Sequence, residues 1–406
     1  MRVFLVIVFL FTSATLFCQT NKITINLIVI DDETSLPVPY VHLFIKGEKP
    51  GTITNEEGKV LFKIDPIYIN DTLIFSSIGY KTRNEPIKKL TGNGLVEIRL
   101  EKQTYFIDRV EVTSKISGRS IVELAIERIV DNYPSEEYHF NGYFRTAFRE
   151  NEDFVRYLEA SVSVFDKGFH KKRGSYAKIN QLRKTFDFRN YRWEETNNYL
   201  ADCLYDPIRY RENIFDIDVF DSWDFKIENV TWLDSSLVYN ITFCLKDTGL
   251  LKFEGNVLIR KYDFAILRMN YLNNYSYKMQ HPNDSIKFFH LSTIVSIRYK
   301  DFNDKLIKSH QSLVQDWYIT DTLYNDIGKL TLFEEFITYD AGYGRNMRFI
   351  NHLKEDLDIY KVRMKYDKDF WNDFNIPVDT RAFHEAKARL NSRSEIEKQF
   401  EQNSNR

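Results

Sequence analysis

Between Asp31 and Tyr80 the chain carries the pattern that most restricts what it can become. Val41, Leu43 and Ile45 alternate with His42, Phe44 and Lys46, the period of two expected of a strand with one face on a core. Asn55-Glu56-Glu57-Gly58 then interrupts the pattern with turn chemistry. Asn accepts local backbone hydrogen bonds, and Gly takes up a left-handed conformation without a Cβ clash. Val60, Phe62 and Ile64 resume the alternation, so a hairpin is expected, and Thr72 to Ser77 supplies another strand. With Lys22 to Ile30 before it and Gly94 to Leu100 after it, the segment holds about seven short strands, the number of a small β-sandwich.

The same residues spell a recognisable run: Val29-Ile30-Asp31, Leu36-Pro37, Val41, Gly47, Gly51-Thr52, Thr54, Gly58 and Ser77-Ile78-Gly79-Tyr80. In these positions the chain resembles the carboxypeptidase-like regulatory domain, a transthyretin-like β-sandwich. It is similar as well to the N-terminal extensions of TonB-dependent receptors in Gram-negative envelopes. The departures are Leu27 where the family usually has Gly, Asn55 for Asp and Val60 for an aromatic. The resemblance implies an accessory fold over residues 20–114, with no catalytic residues of its own.

Met1 to Cys18 has the order of a secretory leader: one Arg, an apolar run from Val3 to Phe11, then small residues. Cleavage after Cys18 is expected, and with it export, to the periplasm or in association with the outer membrane. Membrane contact would then be at most peripheral. A formal net charge of -2 argues against nucleic acid as a partner and leaves envelope proteins or glycans. Cys203 and Cys244 are the cysteines left after cleavage, and their spacing does not decide whether they pair.

After the sandwich, Ser120-Ile121-Val122-Glu123 predicts a capping box opening a helix within 115–134, with Ile121, Leu124, Ile126 and Ile129 on its buried face. Residues 135–378 return to alternation, rich in the chain's 32 Phe and 25 Tyr. Strands are expected at 154–165, 225–231, 236–245, 252–260, 265–271, 288–299, 305–317 and 329–339, joined by short turns into an antiparallel meander. The segment Gly255 to Ile266 resembles the curved sheets of periplasmic lipoprotein carriers. Residues 379–406 predict a charged helix with a polar, frayed end. The fold class expected is mainly β: a seven-stranded sandwich, a linker helix, and a larger antiparallel domain with a C-terminal helix.

Few constellations with chemical meaning stand out. No nucleophile elbow, phosphate-cradling Gly loop, Cys-x-x-Cys or His-Glu-x-x-His is present. His352 and Glu355 match half of a zinc carboxypeptidase site by spacing, but His384 follows too soon to complete it, so no metal or cofactor is expected. Asp216, Asp218 and Asp221 cluster around Phe220 without the tight pattern of a calcium loop. Arg183, Phe186, Phe188, Arg189, Tyr191, Arg192 and Trp193 interleave cations with aromatics. Such a stretch offers a ligand surface for rings and anions, or else an amphipathic strand with aromatics inward and cations in water.

The expectation is therefore an exported, non-enzymatic envelope protein whose sandwich binds or docks for a larger β-rich domain. The alternatives are a carrier or sensor of an apolar ligand in that domain, and an enzyme with an unrecognised site there.

Overall fold

The chain is mainly β. The computed structural model describes residues 22–46, 51–77, 80–92, 94–102, 116–170, 175–190, 200, 204–233, 236–246, 252–274, 278–280, 286–321, 326–344 and 359–403. The expected leader at 1–18, Ile78, Gly79, Tyr191, Arg192, Trp193, Cys203, His352 and Glu355 lie outside the described residues.

The first seven strands are β1 (Ile23–Asp31), β2 (His42–Ile45), β3 (Gly51–Ile53), β4 (Lys59–Ile64), β5 (Thr72–Ser76), β6 (Arg83–Pro86) and β7 (Val96–Leu100). They form a three-stranded sheet in the order β4-β1-β7 and a four-stranded sheet in the order β3-β2-β5-β6. The alternating residues Leu27, Val41, Leu43, Phe62, Leu73 and Phe75 meet between the sheets as a core of their own. Asp31 acts as a clasp. Its carboxylate accepts from Thr34 N at 2.7 Å and from the Tyr80 hydroxyl at 2.8 Å. The amide of Thr34, then that hydroxyl, outweigh burial and hold Asp31 well below the usual carboxylate range.

Eleven further strands make one antiparallel sheet: β8 (Tyr138–Glu150), β9 (Asp153–Asp166), β10 (Ser175–Lys184), β11 (Trp223–Leu233), β12 (Ser236–Leu245), β13 (Phe253–Arg260), β14 (Ile266–Asn273), β15 (Lys278–Gln280), β16 (Ile286–Phe302), β17 (Lys305–Asp321) and β18 (Asp326–Tyr343). The expected meander holds from β11 to β18. It does not hold for β8, which pairs with β18 and carries β9 and β10 out to the far edge. The turn between β16 and β17 has Asn303 at φ 48° and Asp304 at φ 62°, the left-handed pair of a two-residue hairpin.

The register gives this sheet two unlike faces. Lys226, Thr242, Asn256, Asn270, Ser296, Ser312, Glu335, Arg145, Glu159 and Arg183 stand directly opposite one another on ten adjacent strands. Directly paired residues share a face, so this is one polar row across the sheet. Asparagine side chains run along it, Asn270 Nδ2 donating to Asn256 Oδ1 at 3.0 Å and Ser296 Oγ to Asn270 Oδ1 at 2.7 Å. The next row, with Phe225, Phe243, Tyr271, Val295 and Leu313, faces the opposite side and the main core.

The helix Gly118–Glu127 covers that apolar face through Ile121, Val122 and Ala125. Its cap is Ser117, whose hydroxyl accepts from Ser120 N at 3.1 Å; Ser120 is inside the first turn. Glu123 pairs with Arg119 at 3.1 Å and not with the Ser120 amide, so the expected capping box lies three residues too late. Leu124 and Ile126 are only partly buried.

The C-terminal segment is helical as expected, but in two helices that are packed down along their length. Helices Arg381–Arg393 and Ile396–Asn403 are no frayed tail: Phe383, Ala386, Leu390 and Phe400 pack with Tyr143 and Tyr157 on the polar-row side of β8 and β9. Their spacing is that of an amphipathic helix, hidden in the sequence by the surrounding charge.

Candidate functional site

The polar face of the large sheet meets two things, the C-terminal helices and the sandwich. Under the helices lies a buried ionic network. Arg145 Nε donates to Glu335 Oε2 at 2.7 Å and Arg145 Nη1 to Asp379 Oδ1 at 3.0 Å. His310 Nε2 lies 3.0 Å from Glu335 Oε1. Glu159 pairs with Arg183, lies 2.9 Å from Lys387 Nζ, and accepts from the hydroxyls of Tyr143 and Tyr157. Burial alone would push both carboxyls up. Arg145 and His310 reverse that for Glu335 and bring it to about 2, while Arg183, Lys387 and the two hydroxyls hold Glu159 well below the carboxylate range. The cluster has every charge matched by an opposite one, and its chemistry is that of a strut.

Asp379 links this network to the sandwich. Its carboxylate accepts from Arg145 and Lys387, and its backbone carbonyl accepts from Asn55 Nδ2 at 2.9 Å. Asn55 Oδ1 meanwhile receives Glu57 N at 3.0 Å and Lys59 N at 2.9 Å, closing the turn. An aspartate would accept those two amides equally well but has no hydrogen to give Asp379. The departure from the family pattern at residue 55 thus falls on a contact between the two parts of the chain. Beside it, Arg381 N donates to Glu56 Oε1 at 2.9 Å. Along the outer edge of β4, Lys63 N donates to Asn375 Oδ1 at 2.7 Å and Asn375 Nδ2 to Lys63 O at 2.8 Å. One side-chain amide therefore stands in for a neighbouring strand. Tyr40, at φ 57°, extends its ring from the sandwich to 5.0 Å from His310 and lies 4.1 Å under the Arg298 guanidinium.

A cleft of about 430 Å³ opens next to Tyr40, between β2 and β3 of the sandwich and β14, β16 and β18 of the sheet. Arg260, Arg268, Arg298 and Lys300 line it against Asp301 and Asp340. Arg260 is occupied by Asp263 at 2.8 Å and Asp301 at 3.0 Å. Lys300 keeps some exposure to the cleft, but its amine is removed from bulk water. Burial lowers it to about 8, with Asp340 opposing. Burial also lowers Arg268, and it brings His42 to about 3 together with the charges of Lys300 and Arg298. His42 is therefore held neutral, chiefly by burial.

The stretch singled out from sequence is placed otherwise. Arg183 is buried, its guanidinium 4.5 Å from the Trp371 ring centre and 4.8 Å from that of Phe400. Neighbouring Lys184 donates to the carbonyls of Tyr360 at 2.6 Å and Val362 at 2.9 Å. The cations here point inward, against the amphipathic-strand reading, because a glutamate and two carbonyls wait for them. Arg189 pairs with Asp187, Phe186 and Phe188 stack edge to face, and the Phe186 amide donates to Gln399 at 3.2 Å. These residues seat the C-terminal helices. Of the acidic cluster, Asp216 caps a short helix and Asp221 pairs with Arg119 at 2.6 Å. His384 is exposed on its helix. No single-residue signal marks Lys300 or Arg268, and Asn55 stands out only as a turn residue that departs from the family pattern, since the partners that give them meaning are distant in sequence.

Residues 28–112 match the CarboxypepD_reg-like domain family. Among curated proteins, TonB-dependent receptor P39 of Formosa agariphila is 31% identical over 80 residues, which is 20% of this chain and 7% of the receptor. Among solved structures, a DUF1329 family protein from Desulfovibrio piger superposes with a TM-score of 0.26 at 9% identity, over 57% of this chain and 95% of that one. A LolA superfamily protein from Nitrosomonas europaea gives 0.22 at 11% identity, over 60% and 100%. At those scores the likeness says nothing about function.

Proposed function

We propose that this is an exported, non-catalytic binding protein of the cell envelope, and that its CarboxypepD_reg-like sandwich is a docking module held on the polar face of the large sheet. Asn55 carries the reading: its side chain closes the sandwich's own turn and at the same time reaches Asp379. Asp379 is tied in turn to Arg145 in the sheet and Lys387 in a C-terminal helix. The leader-like order of residues 1–18 and the similarity to a TonB-dependent receptor support the envelope as the compartment. A carrier whose apolar ligand sits inside the β-rich domain has less support, because the apolar face is filled by Ile121, Val122, Ala125, Ile214 and Phe215.

The tryptophans supply a test. All five (Trp193, Trp223, Trp232, Trp317 and Trp371) lie beyond the sandwich, so their fluorescence follows the large domain alone. Urea unfolding should show fluorescence and far-UV circular dichroism changing together. In Asn55→Asp the turn keeps its acceptors but loses the donor to Asp379, at a cost of about 1–2 kcal/mol. The dichroism should then begin to fall before the fluorescence does. Separate transitions in the unaltered protein would sink the proposal.

A further inference from the structure

We infer that the cleft between sandwich and sheet binds a small amphipathic anion, a carboxylate on an apolar body, with its head among Arg268, Arg298 and Lys300. The inference rests on the docked arrangement proposed above, because β2 and β3 supply one wall.

The charge balance is the first argument. Three cations come from two neighbouring strands, with Arg268 and Arg298 directly paired in the register. Of the two carboxylates lining the cleft, Asp301 is already held by Arg260 at 3.0 Å, and Asp340 accepts from Asn141 Nδ2 at 3.3 Å. Arg268 has its Nε 3.3 Å from Asn270 Oδ1, and no carboxylate pairs with it among the described residues. Lys300 Nζ reaches the Thr338 carbonyl at a long 3.4 Å. A cation removed from water costs free energy unless a matched anion meets it, and an arginine beside a lysine suits a carboxylate well.

The shape of the cleft is the second. Its volume of about 430 Å³ is far more than a bare inorganic anion fills, and falls in the range of about 300–1,000 Å³ usual for small-molecule pockets. Leu43, Ile53, Leu267, Phe302 and Ile337 also line it, so apolar side chains share the lining with the cations. Tyr40 separates the cleft from the ionic network, its ring beneath Arg298 and against His310. A lining that offers both charge and hydrocarbon suits a ligand with both.

Titration calorimetry of the full mature chain with decanoate, decanol and inorganic phosphate tests this. Decanoate should saturate one site, with decanol and phosphate each at least tenfold weaker. Arg268→Met and, separately, Lys300→Met should weaken decanoate tenfold and change decanol less than twofold; if one variant fails to fold, the other decides. Equal binding of decanoate and decanol would reduce the cleft to a greasy groove, and equal binding of phosphate would reduce it to a bare anion site. Either result overturns the inference, as does binding indifferent to both variants. Absence of decanoate binding in a protein whose two unfolding signals coincide overturns it while leaving the docking intact. Signals that separate point instead to failure of the docking itself.

Discussion

Glu159→Gln should destabilise the large domain by about 3–5 kcal/mol, because it removes one side of a buried ion pair and leaves the other. The carboxylate is fully buried, and Arg183 and Lys387 both depend on it. Glutamine keeps the shape and can still accept from Tyr143 or Tyr157, so the loss isolates the charge. Arg183 suffers most, since it is buried against Trp371 and Phe400 with Glu159 as its counter-ion. Tryptophan fluorescence in urea, to which Trp371 beside Arg183 contributes, reports the change. Adding Arg183→Met to Glu159→Gln should recover a large part of the loss, because the stranded cation is gone and a hydrophobe replaces it. A single variant within about 1 kcal/mol of the unaltered protein, the size of an exposed pair, would show that the cluster is solvated.

Gly58→Val should be nearly as damaging, in the other part of the chain. Gly58 sits at φ +69°, where a β-branched residue is strained, and an added Cβ would lie 2.4 Å from the Val29 carbonyl oxygen. That carbonyl belongs to β1, the central strand of its sheet, and Gly58 O accepts from Val29 N at 2.8 Å. The clash and the strain together should cost about 3 kcal/mol or more. Circular dichroism should report early loss of the sandwich while tryptophan fluorescence holds closer to its usual midpoint. A variant with unchanged dichroism would mean that the turn at Asn55–Gly58 is not built as described.

Much of the sandwich was legible because its determinants are local. Alternation over a few residues sets each strand, and Gly58 sets the turn. Helix Gly118–Glu127 was legible in kind but not in its start, since Ser117 and Ser120 both have the capping side chain and only geometry chooses between them. Strand β8 was harder to see, being buried on both faces and so lacking alternation, and β10 carries Lys178, Asn180, Gln181 and Arg183 like a loop. The cleft and the seam were not legible at all. Arg268 and Arg298 meet through the register of β14 with β16, and Asn55 and Lys63 find partners more than three hundred residues away. The Arg183 stretch drew attention through its composition, but its charges answer to Glu159 and to carbonyls that sequence does not place nearby.

The amide of Lys63 reports the docking most directly. It points outward from β4, the edge strand of its sheet, and in a sandwich standing alone it would face water and exchange quickly. In the docked arrangement it donates to Asn375 Oδ1 at 2.7 Å, while Asn375 returns a hydrogen bond to the Lys63 carbonyl. Native-state hydrogen exchange of the full chain should therefore find the Lys63 amide as slow as those of Phe62 and Ile64, within about tenfold. Exchange at the rate of a free strand edge would contradict the docking of the sandwich on the sheet.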